Sequence, residues 1–164
     1  MSPEDLFDEP PARRVSRRTR LPGEQWTSTR ARSERGWGVG ALVEEAGAVL
    51  LVREGGRWFL PGGMLEAGER PREGATREVH EETGVDVTVT DLLAVTERTF
   101  VNAADGREFK LRFATFRGEP MGTTTSSDPG LDGEGISSAA WHEELPMETF
   151  DRDLVVSLRE ESDG

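Results

Sequence analysis

Residues 71–83 read as a helix with almost nothing apolar to bury. Pro71 suits a first helical turn and Gly84 stands just past the end, the usual asymmetry of helix termini. Val79 is its only large apolar residue, with Ala75 one turn before it. A helix on a globular domain ordinarily turns an apolar stripe to the core, so this one is expected to bury little. It carries Glu78, Glu81 and Glu82, which spacings of three and four residues put on one flank. Like charges so placed repel by a few tenths of a kcal/mol per pair. They are either a solvated charged face or a site for a hard cation such as Mg²⁺, which prefers oxygen ligands.

Strand and helix signals alternate around this helix. Trp37 to Val43 and Gly47 to Arg53 read as strands, and Arg57 to Leu60 as a short strand after the Gly55-Gly56 turn. Pro61-Gly62-Gly63 breaks the chain. Val85, Val87 and Val89 alternate with polar residues. Glu97 to Asn102 and Arg107 to Arg117 read as a hairpin around residues 103–106. Residues 118–135 are a long polar loop, Ile136 to Trp141 a last strand, and Met147 to Glu161 a helix with Phe150, Leu154 and Leu158 on one face.

Composition divides the chain near residue 36. Residues 1–36 hold eight Arg and six acids and few large apolar residues; residues 37–164 hold 12 basic and 26 acidic residues. The expected organisation is an Arg-rich arm, 1–36, flexible or partly docked, and a folded domain, 37–164. The arm could also fold back against the acidic body, with Trp26 as its one large anchor, or reach for nucleic acid. The formal net charge of −12 over 164 residues argues against nucleic-acid binding by the body. Nineteen of the 20 basic residues are Arg and only Lys110 is Lys. Because salt screens self-repulsion, such a surface suits a salt-loving organism; an ordinary acidic protein is the alternative. With no Cys, disulfides, thiolate zinc sites and Cys nucleophiles are excluded. No apolar run approaches 18 residues, and no apolar region follows the Arg13-Arg14 and Arg17-Arg18 pairs, so a cytoplasmic location and no membrane partner are expected.

A longer pattern surrounds the helix. Gly63 is followed after five residues by Glu69, and after seven more by Arg77-Glu78-Val79-His80-Glu81-Glu82-Thr83-Gly84-Val85. This resembles the complete Nudix box, Gly-x5-Glu-x7-Arg-Glu-aliphatic-x-Glu-Glu-x-Gly-aliphatic, with every fixed position matched. The resemblance covers about residues 37–160. It implies an α/β fold, an α/β/α sandwich with a mixed β-sheet between helices. It implies hydrolysis of a nucleoside diphosphate linked to another moiety, with Mg²⁺ or Mn²⁺ on the box helix. Carried over by position, Glu78 and Glu82 are metal ligands, Glu81 is a third ligand or the base that activates water, and the Gly63 carbonyl is a further contact to metal. Arg77 and Glu69 pair to fix the loop against the helix. Glu134, in the long loop, is the other candidate base, ahead of Asp132.

Other residues carry weaker readings. Arg53, at a strand end facing the Pro-Gly-Gly turn, is a candidate phosphate ligand or a plain surface cation. Trp58 is a base-stacking or a core residue. The residues past the box lack the Pro, Tyr or Trp-rich signatures of several subgroups of the resembled family, which leaves a nucleoside triphosphate or related nucleotide as the expected small-molecule partner. The alternatives are a non-catalytic nucleotide-sensing domain and an RNA 5′-end pyrophosphohydrolase. The reading leaves room for a homodimer.

Overall fold

Residues 13–32, 36–125 and 136–162 are the residues described by the computed structural model. In chain order they form β1 (Arg13–Leu21), α1 (Gly23–Arg32), β2 (Trp37–Glu45), β3 (Ala48–Glu54), β4 (Arg57–Phe59), β5 (Gly62–Met64), α2 (Pro71–Thr83), β6 (Val87–Asn102), β7 (Glu108–Pro120), β8 (Ile136–His142) and α3 (Arg152–Ser162). The architecture is α/β, with a mixed sheet between helices, as expected. The strand order is β1-β6-β7-β2-β3-β4, with β5 on β2 and β8 on β3. β1 runs parallel to β6 and β2 parallel to β7; the other pairings are antiparallel.

Strand β2 is the hub. Val39, Ala41 and Val43 share clusters with Ala75 and Val79 of α2, while Leu42 joins Leu154, Val155 and Leu158 of α3. Alternating side chains thus serve both helix layers. β2 and β3 pair only at Glu44 with Val49 and Glu45 with Ala48. Beyond that hairpin the two halves of the sheet separate, and a cavity opens between them. Gly40 and Gly62 make the crossing of β2 and β5 possible. A Cβ on Gly40 would lie 2.5 Å from the Pro61 carbonyl oxygen, and one on Gly62 2.5 Å from that of Val39.

Several expectations change. Residues 13–32 form a strand and a helix on the sheet, the docked alternative for the Arg-rich arm. An edge strand needs only one half-buried face, which Val15, Thr19 and Leu21 supply, and arginine stems cover apolar surface with their heads in water. Trp26 anchors α1: it is 2% exposed, donates its indole N–H to the Phe100 carbonyl at 3.0 Å and meets Phe109 edge-on. Val87 and Asn102 belong to one continuous strand with bulges between Val89 and Ala94. The last helix begins at Arg152 rather than Met147, because the segment before it pairs with β4: Trp58 N–H donates to the Glu148 carbonyl and Phe150 N–H to that of Trp58. Most of the predicted 118–135 loop lies outside the described residues, although β7 extends to Pro120. No described helix is long and apolar enough to cross a membrane.

Candidate active site

Helix α2 has the predicted bounds, Pro71–Thr83. Gly84 adopts φ 78° and donates its N–H to the His80 carbonyl, the left-handed stop that glycine allows without strain. The expectation that so polar a helix buries little is corrected. Gly74, Ala75, Glu78, Val79, Glu82 and Thr83 are all buried, Glu78 at 7% and Glu82 at 6% exposure. Their i, i+4 spacing makes one stripe, and its polar members are the glutamates.

Burying two carboxylates is costly unless they are hydrogen-bonded or paired. The sequence around them meets that demand locally. Gly62 N–H donates to Glu82 Oε1 at 2.6 Å. Gly63 stands so close to Glu78 that a Cβ there would lie 2.6 Å from the carboxyl group. The absent side chain is what admits Glu78 to the turn. Gly74 has the same role one turn earlier, where a Cβ would meet Leu65 at 2.5 Å and Glu69 at 2.9 Å.

Arg77 ties the loop and the helix together. Its Nε donates to Glu69 Oε2 at 2.7 Å and its Nη2 to Glu69 Oε1 at 2.9 Å, a two-pronged pair. Nη1 donates to Glu78 Oε1 at 2.9 Å and Glu81 Oε2 at 3.1 Å, and Nη2 reaches the Met64 carbonyl at 3.3 Å. The hydrogen bond to Glu69 holds the guanidinium far above its ordinary pKa; burial opposes this, and Glu78 adds to it. Glu69 in turn accepts the Glu66 N–H at 3.0 Å.

Glu69, Arg77, Glu78, Glu81, Glu82 and Gly63 are therefore brought together. Arg53 is exposed on β3, with its guanidinium 5.8 Å from the centre of the Trp58 ring. Trp58 meets His142 edge-on at 4.4 Å and packs on the α3 side of the core. Burial lowers the His142 pKa. Exposed His80 pairs with Asp86 at 2.8 Å. Glu134 and Asp132 lie outside the described residues.

The donor set is all oxygen, which suits a hard cation. Among the described residues no three acidic or His side chains converge as a ready cage. Mg²⁺ does not require one; it commonly takes one or two carboxylates and completes its shell with water and substrate phosphates. Glu78 and Glu82, buried one turn apart against the Gly62-Gly63 backbone, fit that mode.

Glu82 and Gly62 also line a cavity of about 270 Å³. Its walls include Phe59, Phe100, Phe113 and Phe150, with Glu54, Arg98 and Asp151 as charged members beside Glu82. Of its lining the sequence marked Glu82, but not the cavity itself or Arg98 and Asp151. The alternation of Phe109, Leu111 and Phe113 marks the hairpin as a strand, but nothing local tells that β6, β4 and the start of α3 converge.

A family profile described as NUDIX domain matches residues 34–155. The "MutT-like protein" of Streptomyces ambofaciens is 47% identical over 63 residues, 37% of this chain and 41% of that protein. The human "8-oxo-dGDP phosphatase NUDT18" is 32% identical over 116 residues, 68% of this chain and 33% of that protein. The chain thus spans less than half the length of these relatives. Among solved structures, "mMutator MutT protein" from Bacillus halodurans superposes with a TM-score of 0.62 at 25% identity, covering 74% of this chain and 81% of that one.

Proposed function

This chain belongs to the NUDIX domain family, and from that premise we propose that it hydrolyses a phosphoanhydride bond in a nucleoside diphosphate linked to another moiety. The proposed substrate is a nucleoside triphosphate or related nucleotide, and the proposed cofactor Mg²⁺ or Mn²⁺. The observation that carries the reading is the buried pair Glu78 and Glu82 on α2, of which Glu82 lines an aromatic cavity. The pair supplies hard oxygen ligands, and the cavity supplies an apolar place for the non-phosphate part of the substrate. The names of the relatives, a MutT-like protein and an 8-oxo-dGDP phosphatase, support a nucleotide substrate.

In this mechanism Glu78 and Glu82 would hold the cation, with the Gly63 backbone beside them. A bound divalent cation supplies neutralisation of phosphate charge and stabilisation of the leaving oxygen. Arg77 and Glu69 fix the loop against α2, with Arg77 also holding Glu78. Glu81 or Glu134 takes the proton of the attacking water, a task that requires approach to about 2.6–3.2 Å directly or through one water. Because the protein carries a formal net charge of −12, a polyphosphate approaches it poorly without cations between them.

The test is a nucleotide panel with Mg²⁺ and with Mn²⁺, reading phosphate and pyrophosphate release. Metal-dependent release is expected. Silence across the panel from folded protein would overturn the reading in favour of a non-catalytic nucleotide-binding domain. Comparing Glu81→Gln with Glu134→Gln identifies the base as the variant that loses the rising acid limb of the kcat profile.

A further inference from the structure

The cavity beside Glu82 contains a cation that this mechanism leaves unused. Arg98 of β6 lines the cavity and donates from Nη2 to Asp151 Oδ2 at 2.6 Å. Its guanidinium carbon lies 4.6 Å from the centre of the Phe150 ring, which in turn stacks on Phe59. Covered on a face by Phe150, the guanidinium can offer hydrogen bonds only in its plane. It has five N–H donors, and Asp151 is its hydrogen-bond acceptor among the described residues. Burial lowers the Arg98 pKa; Asp151 opposes that, and nearby Arg17 reinforces it. A cation so placed has donors to spare and little water to receive them.

Asp151 is itself held from three directions. It adopts φ 52°, a left-handed conformation that is uncommon for a residue with a side chain. Its carbonyl accepts the N–H groups of Leu154 and Val155 at the start of α3. Its Oδ1 lies 3.5 Å from Nη2 of Arg17 on β1. The N-terminal strand therefore reaches the cavity through one carboxylate.

We propose that Arg98 is a specificity-determining residue that reads an acceptor edge of a purine ring held in this cavity, with Asp151 and Arg17 as the positioning residues that aim it. This rests on the nucleotide reading above. A guanine ring presents O6 and N7, two adjacent acceptors that match the fork of a guanidinium; adenine replaces one acceptor by an amino donor. Phenylalanine faces suit a flat ring. At about 270 Å³ the cavity is at the small end of ligand pockets, room for a ring whose phosphates extend to the carboxylates of α2.

The test is calorimetric binding of GMP and AMP to the full chain with Mg²⁺ present. Wild type is expected to bind GMP about ten- to a hundredfold more tightly than AMP. Arg98→Met brings that ratio close to one, chiefly through loss of GMP affinity. Since Arg98→Met deprives Asp151 of its nearest partner, Arg98→Met/Asp151→Asn is the second variant, with the same expected ratio. Arg17→Met lowers the ratio to a few-fold without changing AMP affinity, which a merely structural role would not do. Equal affinities in wild type, no binding of either nucleotide, or a ratio retained in both Arg98 variants would overturn the proposal; an unchanged ratio in Arg17→Met would overturn the positioning role. Turnover in the nucleotide panel without base preference here would leave the hydrolase reading standing and remove this one. Base preference without turnover would do the reverse.

Discussion

Arg77 and Arg98 are both largely withdrawn from water, and their surroundings treat them in opposite ways. Arg77 faces Glu69, Glu78 and Glu81 within hydrogen-bond distance, with Glu66 at 3.8 Å. Its charge is oversupplied with partners, and its pKa rises. Arg98 has Asp151, shared with Arg17, and an aromatic ring; its pKa falls. The difference separates two uses of one side chain. Arg77 is a clamp whose donors are spent inside the protein, while Arg98 keeps donors for something else.

The comparison breaks most sharply at the carboxylates that Arg77 organises. Glu82→Gln keeps shape and loses charge, so turnover is expected to fall at least a hundredfold with the melting temperature little changed; steady-state kinetics beside a thermal melt check this. Retained activity would remove Glu82 from the metal site. Arg77→Met should do the converse, costing stability before chemistry. It strips a cation from partly buried glutamates, a loss of about 3 kcal/mol by analogy with broken buried pairs, measurable by urea unfolding.

Gly63→Ala probes the same site more gently. The new Cβ would meet the Glu78 carboxyl rather than backbone, so the carboxyl shifts. Mg²⁺ affinity is expected to drop about tenfold, in the range seen when ligand orientation is disturbed, with stability changed by about 1 kcal/mol or less. Metal titration of activity reads the first and a melt the second. A smaller effect is expected at Glu97, the neighbour of Arg98 in sequence. Burial alone would raise its pKa, but Arg112 and Lys110 outweigh that and lower it below 4.5. Its contribution is therefore present above pH 4.5 and lost as pH falls through the folded value. Glu97→Gln should flatten the acid side of the stability profile, as followed by denaturant midpoints at pH 3 to 6.

What could be read along the chain follows from local periods. The helical repeat alone puts Glu78 and Glu82 one turn apart, and Pro71 and Gly84 alone bound α2. The strands around Trp37, Ala48 and Ile136 were likewise legible in alternation and turn residues. The buried state of the glutamates was not, because polarity looks the same whether a carboxylate meets water or the N–H of Gly62. The docking of residues 13–32 was legible only as one alternative, through Trp26, since a strand that buries one edge face needs few apolar residues.

The sequence by itself determined the carboxylate helix and its loop, whose parts lie within 23 positions and are set by backbone geometry. Only the tertiary structure decided the cavity. Arg98 and Asp151 lie 53 positions apart. They meet because β6 pairs with β1, β4 draws residues 148–150 onto itself, and a left-handed turn at Asp151 starts α3. Strand register and sheet separation are properties of the assembled fold, and no local repeat encodes them.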